Sequence, residues 1–118
     1  MQKQSSADCI FCKIGAGQIP STMLHKDSGC FAIRDIHPKA PTHVLVIPQN
    51  HFTELTRMQA VDEAMVGHLF SVAARIAAQE GIAATGYRLV VNQGAEAGQE
   101  VAHLHVHLLG GRKLGIMG

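Results

Sequence analysis

Polar and apolar positions alternate along Val101–Leu109, where His103, His105 and His107 interleave with Leu104, Val106 and Leu108. A period of two is that of a β-strand, whose side chains point to opposite faces in turn. The pattern predicts a strand with three imidazoles on one face and three aliphatic side chains on the other. His43–Ile47 is nearly continuously apolar and stops at Pro48, as expected of a central strand covered on both sides. Met23–Lys26 and Cys30–Arg34 read as two short strands joined by the turn signal Asp27-Ser28-Gly29, hence a hairpin. Tyr87–Asn92 reads as a further strand.

The period lengthens to three or four between Gln59 and Glu80, where Val61, Met65, Leu69, Val72 and Ile76 recur. That spacing predicts one long helix, with Gly81 as its stop. Ile10–Ala16 reads as a short helix ended by Gly15 and Gly17. The order is strands, one long helix, then strands. The expectation is an α+β fold with a mostly antiparallel five-stranded sheet, not alternating βαβ units.

At 118 residues the chain is expected to form one domain over 1–118, with polar residues 1–7 mobile. Hydrophobic residues make up 47% and charged residues 16%, which excludes a disordered chain. A formal net charge of +1 offers no basic field for duplex nucleic acid. No run approaches the roughly 20 apolar residues that span a bilayer, and the N-terminus lacks the apolar core of a signal peptide. A cytoplasmic protein without membrane partners is the expectation. The odd number of cysteines, two of them spaced Cys9-Ile-Phe-Cys12, points to metal or redox chemistry rather than a structural disulfide.

The histidines carry the chemistry. Burying three imidazoles without partners is costly, because each ring has two nitrogens to satisfy. Two functional readings follow: three ligands on one metal, or one nucleophile positioned by the others. Gly94, Gly98 and Gln99 precede the strand. Glycines let backbone N–H groups approach an anion, and a phosphate cradle beside a histidine favours attack on phosphorus. His25, His37 and His68 receive no role; His68, near the helix's apolar face, reads as a packing residue.

At this point a family resemblance becomes specific. His103-Leu-His-Val-His-Leu-Leu109 resembles the signature of the histidine triad (HIT) superfamily. Arg34-Asp-Ile36 with Ala40–Pro48, Gly86–Asn92 and Gly98–His103 resemble the stretches that bind nucleoside and approach the triad. Leu108–Arg112 is similar to the Hint branch, the histidine triad nucleotide-binding proteins, in its bacterial form. The resemblance implies a purine nucleotide ligand, a homodimer and a phosphoramidase-type activity. It assigns His105 as nucleophile, with a nucleotidyl-histidine intermediate, and His107 to phosphate oxygens and the leaving group. His43 and His103 fall in the supporting network. Asp35 matches the ribose acceptor and Ile36 a wall of the base pocket. Asn92, Gly98, Gln99, Glu100 and Val101 match the phosphate contacts. A dinucleoside polyphosphate hydrolase on the same fold and a regulatory nucleotide- or zinc-binding protein are the competing readings.

Cys9 and Cys12 resemble the pair of zinc-binding HIT proteins, whose other ligands match His51 and His103 here. That implies a closed, structural Cys2His2 zinc, with no cofactor needed for the chemistry. The competing reading makes both cysteines small apolar residues of a short helix. Cys30 reads as a packing residue. Ala102 stands where the family commonly has Tyr, and the tail Arg112–Gly118 is short and lacks tryptophan.

Overall fold

The structure is a computed structural model and describes residues 8–118; the expected mobility of residues 1–7 lies outside the described residues. Helix α1 spans Ile10–Gly15 and strands β1 and β2 span Met23–Lys26 and Cys30–Arg34. Strand β3 is Thr42–Pro48, helix α2 Ala60–Gln79, β4 Tyr87–Val90 and β5 Val106–Gly110. The strands form one five-stranded sheet in the order β1-β2-β3-β5-β4, every pairing antiparallel. The expected α+β class is what the chain adopts.

β3 sits at the centre and is buried along its whole length. Its alternate residues feed two cores. Val44 and Val46 join Cys30, Ala32, Val106 and Leu108 under α2, which contributes Leu69, Val72, Ala73, Ile76 and Ala77. Leu45 and Ile47 join Phe31 and Ile33 on the other face, where α1 lays Phe11 and Ile14. Both faces of the sheet are therefore covered, which explains the unbroken apolar run of the central strand.

α2 starts where Asp62 accepts a hydrogen bond from the Gln59 N–H at 2.9 Å, one half of a capping box. It stops at Gly81, whose φ of +77° fits the left-handed cap. The expected apolar face is shifted toward the C-terminal half: Val61 is 67% exposed, while Leu69, Val72 and Ile76 are buried. Glu80 at the helix end receives both Arg34 guanidinium nitrogens, at 2.8 and 2.9 Å, tying α2 to β2. No helix among the described residues is long and apolar enough to cross a membrane.

The triad strand is shorter than its alternation predicts. β5 begins at Val106, paired with Val46, so His103 and His105 precede it. Continuing that register would set Leu104 against Pro48, which has no N–H to donate to the ladder. The chain turns off instead: the Leu104 N–H donates to the Phe52 carbonyl at 2.6 Å and the His103 N–H to Val101 at 2.8 Å. The three histidines thus do not share one strand face.

Candidate active site

A cavity of about 660 Å³ opens on the α1 side of the sheet. His43 from β3 and His107 from β5 line it, with His105 just before β5. Phe11 closes its inner end, standing edge-on to His105 with ring centroids 5.1 Å apart.

The hydrogen bonds fix the tautomer of each ring. His105 Nδ1 lies 2.7 Å from the His103 carbonyl oxygen. A carbonyl only accepts, so Nδ1 carries the hydrogen and Nε2 holds the free lone pair. The Lys39 backbone N–H donates to His43 Nδ1 at 3.0 Å. In the neutral ring the hydrogen therefore sits on His43 Nε2, which donates to His107 Nδ1 at 2.9 Å. Asp35 Oδ2, 3.5 Å from the same His43 nitrogen, shares that hydrogen electrostatically. His107 is left with its hydrogen on Nε2. Two facing rings thus differ in kind: His105 offers a lone pair, His107 a donor.

Burial favours the neutral form of His107 and His43. Burial first, then His105 and His43, push His107 down to about 4 from 6.5. His43 is lowered as well, by burial, against the pull of Asp35.

The other residues implicated by sequence divide. Asp35, Ile36, Asn92, Gly98, Glu100 and Val101 line the cavity, with Ile36 exposed at its rim. Asp35 Oδ1 also accepts from the His37 N–H at 2.8 Å, so it starts the loop as well as facing the cavity. Gln99 is not in the wall. Its side chain clips the loop together, accepting from the Gly94 N–H at 2.8 Å and donating to the Val101 carbonyl at 3.1 Å. The Gly98 and Gln99 N–H groups are spent on Ala95 and Gly94 carbonyls. Gly94 and Gly98 adopt φ of +87° and +83°, a conformation that glycine takes readily.

His103 turns away from the cavity and is fully buried. Its Nε2 donates to the Pro48 carbonyl at 2.9 Å, leaving Nδ1 unprotonated and aimed at Cys9 Sγ (3.3 Å) and Cys12 Sγ (3.6 Å). His51 Nδ1 lies 3.4 Å from Cys12 Sγ. These four donor atoms all lie within 4.8 Å of one another. Two sulfurs and two imidazole nitrogens in a closed set suit zinc. The His103 bond to a carbonyl is the kind of outer contact that orients a metal-ligating histidine. The residues fit the ion.

Three contributors escaped the sequence: Phe11, and the backbone groups of Lys39 and His103 that set the tautomers. Phe11 lies between the two cysteines, which was the one available signal. The backbone groups leave none.

A five-stranded antiparallel sheet that presents a histidine cluster to one cavity defines a histidine triad protein. The HIT domain family model matches residues 16–114, and the chain belongs to that family. It is 48% identical over 110 residues to the purine nucleoside phosphoramidase of Escherichia coli, covering 93% of this chain and 92% of the relative. A HIT family hydrolase from Legionella pneumophila superposes with a TM-score of 0.89 at 42% identity, covering 92% of this chain and 96% of that one. A zinc-bound histidine triad family protein from Mycobacterium smegmatis gives 0.78 at 33% identity, covering 92% and 78%.

Proposed function

We propose that this chain hydrolyses the P–N bond of purine nucleoside 5′-phosphoramidates, with His105 as nucleophile. The observation that carries the reading is the 2.7 Å bond from His105 Nδ1 to the His103 carbonyl, which leaves Nε2 bare beside the cavity. The name of the Escherichia coli relative supports the substrate class. His105 Nε2 attacks the α-phosphorus. The Nε2–P bond forms as the P–N bond breaks, and the amine leaves with a proton drawn from solvent water. A second water then attacks phosphorus, its proton neutralising the hydroxide left by the first; the Nε2–P bond breaks, and nucleoside monophosphate is released. Splitting one displacement in two is the gain of covalent catalysis.

His107 donates its Nε2 hydrogen toward the phosphoryl oxygens and the departing nitrogen. His43 holds His107 in that tautomer. Asp35 accepts from the ribose hydroxyls, Ile36 packs on the base, and Asn92, Gly98, Glu100 and Val101 face the phosphate. With the Gly98 and Gln99 N–H groups spent inside the loop, the Glu100 and Val101 N–H groups are the backbone donors for developing charge. Zinc held by Cys9, Cys12, His51 and His103 is structural and supplies no chemistry; it braces α1 against the segment that carries His105. The protein acts as a homodimer in the cytoplasm.

Release of amine from an adenosine phosphoramidate, with a diadenosine polyphosphate run in parallel, tests the reaction. Faster turnover of the phosphoramidate is expected. Preference for the polyphosphate moves the assignment to the other hydrolase, and turnover of neither leaves a binding protein.

A further inference from the structure

The sheet's opposite face carries a second cluster of metal-ligand type. His25 on β1, Asp27 in the hairpin turn, Cys30 on β2 and His68 on α2 converge, their donor atoms all within 4.8 Å of one another. His25 Nε2 and His68 Nε2 lie 2.6 and 2.7 Å from the same oxygen, Asp27 Oδ2. Cys30 Sγ points to that oxygen too, at 3.8 Å. The other oxygen, Oδ1, accepts from the Gly29 and Cys30 N–H groups at 2.7 and 2.8 Å. The carboxylate is thereby oriented by backbone while its free oxygen meets three side chains from three elements.

We propose that His25, Asp27, Cys30 and His68 form a second binding site for a divalent transition-metal ion of the zinc type. Two imidazoles, a carboxylate and a thiolate are a ligand set that zinc accepts in tetrahedral geometry. Metal–ligand distances of about 2.0–2.3 Å imply tetrahedral edges of roughly 3.3–3.6 Å. The sulfur already stands near that separation, and the two rings need draw back by only about 0.6 Å. The backbone clasp on Oδ1 is the outer support that holds a ligating carboxylate in aim. Both rings and the carboxylate are part-exposed, which leaves an entry path.

Without metal the cluster is held by protons. Burial opposes ionisation of Asp27, yet hydrogen bonds from His25, His68 and the turn N–H groups outweigh it and keep the carboxyl well below its ordinary range. Burial, then the Asp27 charge, push the Cys30 thiol up to about 12. On binding, Cys30 releases its proton to solvent and both rings move their hydrogen from Nε2 to Nδ1. The ion would clamp the β1–β2 hairpin to α2, on the face of the sheet away from the cavity.

Cobalt(II) titrated into the full chain carrying Cys9→Ser and Cys12→Ser tests this, because Cys30 is then the sole cysteine. Binding of about one cobalt per chain is expected, with low-coordinate visible absorption and a thiolate-to-cobalt charge-transfer band. Adding Cys30→Ser abolishes the band. Adding His68→Ala weakens binding by at least about tenfold. No bound cobalt, or cobalt whose spectrum and affinity ignore both changes, overturns the proposal. If the serine variant does not fold, the parent chain serves: zinc content per chain drops by about one on His68→Ala, and an unchanged content overturns the site.

Discussion

His105 gives its Nδ1 hydrogen to the carbonyl of His103, two residues earlier and 2.7 Å away. One carbonyl thereby decides which His105 nitrogen keeps the lone pair, and the ring of the same His103 points at the Cys9 and Cys12 sulfurs. His103 joins the Cys9, Cys12 and His51 cluster to the imidazole of His105.

The proposed mechanism makes His43 a positioning residue for His107, through the 2.9 Å bond from its Nε2 to His107 Nδ1. Removing its Nε2–H donor frees His107 to place its own hydrogen on Nδ1, the wrong side. His43→Ala is expected to lower kcat by about 10²-fold, the range for losing one oriented hydrogen-bond donor at the reacting group, with KM for phosphoramidate little changed. Steady-state kinetics on the folded variant checks this; a rise in KM at unchanged kcat would make His43 a binding residue instead.

Acid should weaken the fold through the buried rings. His107 falls to about 4 from 6.5 on folding, so between these values the unfolded chain binds more protons than the folded one. Its contribution to stability is full above about 6.5 and is lost as pH falls through about 4. Urea melts across this window should show His107→Gln losing less stability than the parent. Parallel losses would mean that His107 does not carry the effect.

Phe11 packs edge-on against both His103 and His105, at 5.8 and 5.1 Å between ring centroids. Phe11→Ala opens a hole in the smaller core and is expected to cost about 3 kcal/mol in chemical denaturation. Turnover should fall as well, since His105 loses its wall. A variant as stable as the parent would remove α1 from the account.

Loss of the cysteine pair should act on stability before chemistry. Cys9→Ser/Cys12→Ser is expected to lower zinc content by about one ion per chain and to lower the melting temperature. Elemental analysis beside calorimetry reads both. Zinc content unchanged by the double substitution would place no ion on these ligands.

Much of this architecture is legible in the chain. The β1 and β2 bounds follow from Asp27-Ser28-Gly29 between two short stretches that carry apolar residues, and β3 from its unbroken apolar run. The alternation of Leu104, Val106 and Leu108 against His105 and His107 does report two faces. The start of β5 was not legible, because it depends on a proline in the neighbouring strand and on a register formed across 60 residues of chain. His68 read as packing because its partner, Asp27, lies 41 positions away. Tautomers were beyond reach for a simpler reason: every residue has a carbonyl, and only the fold says whose stands beside a ring.

The proposed mechanism turns on the covalent step on His105. Rapid quenching of the protein during turnover of an adenosine phosphoramidate, followed by peptide mass spectrometry, locates the nucleotidyl group directly. The account predicts an acid-labile adenylyl adduct on His105, absent from His105→Gly, which should lose at least about 10³-fold in kcat/KM. An adduct on His107, or a His105→Gly protein that turns over like the parent, would contradict it.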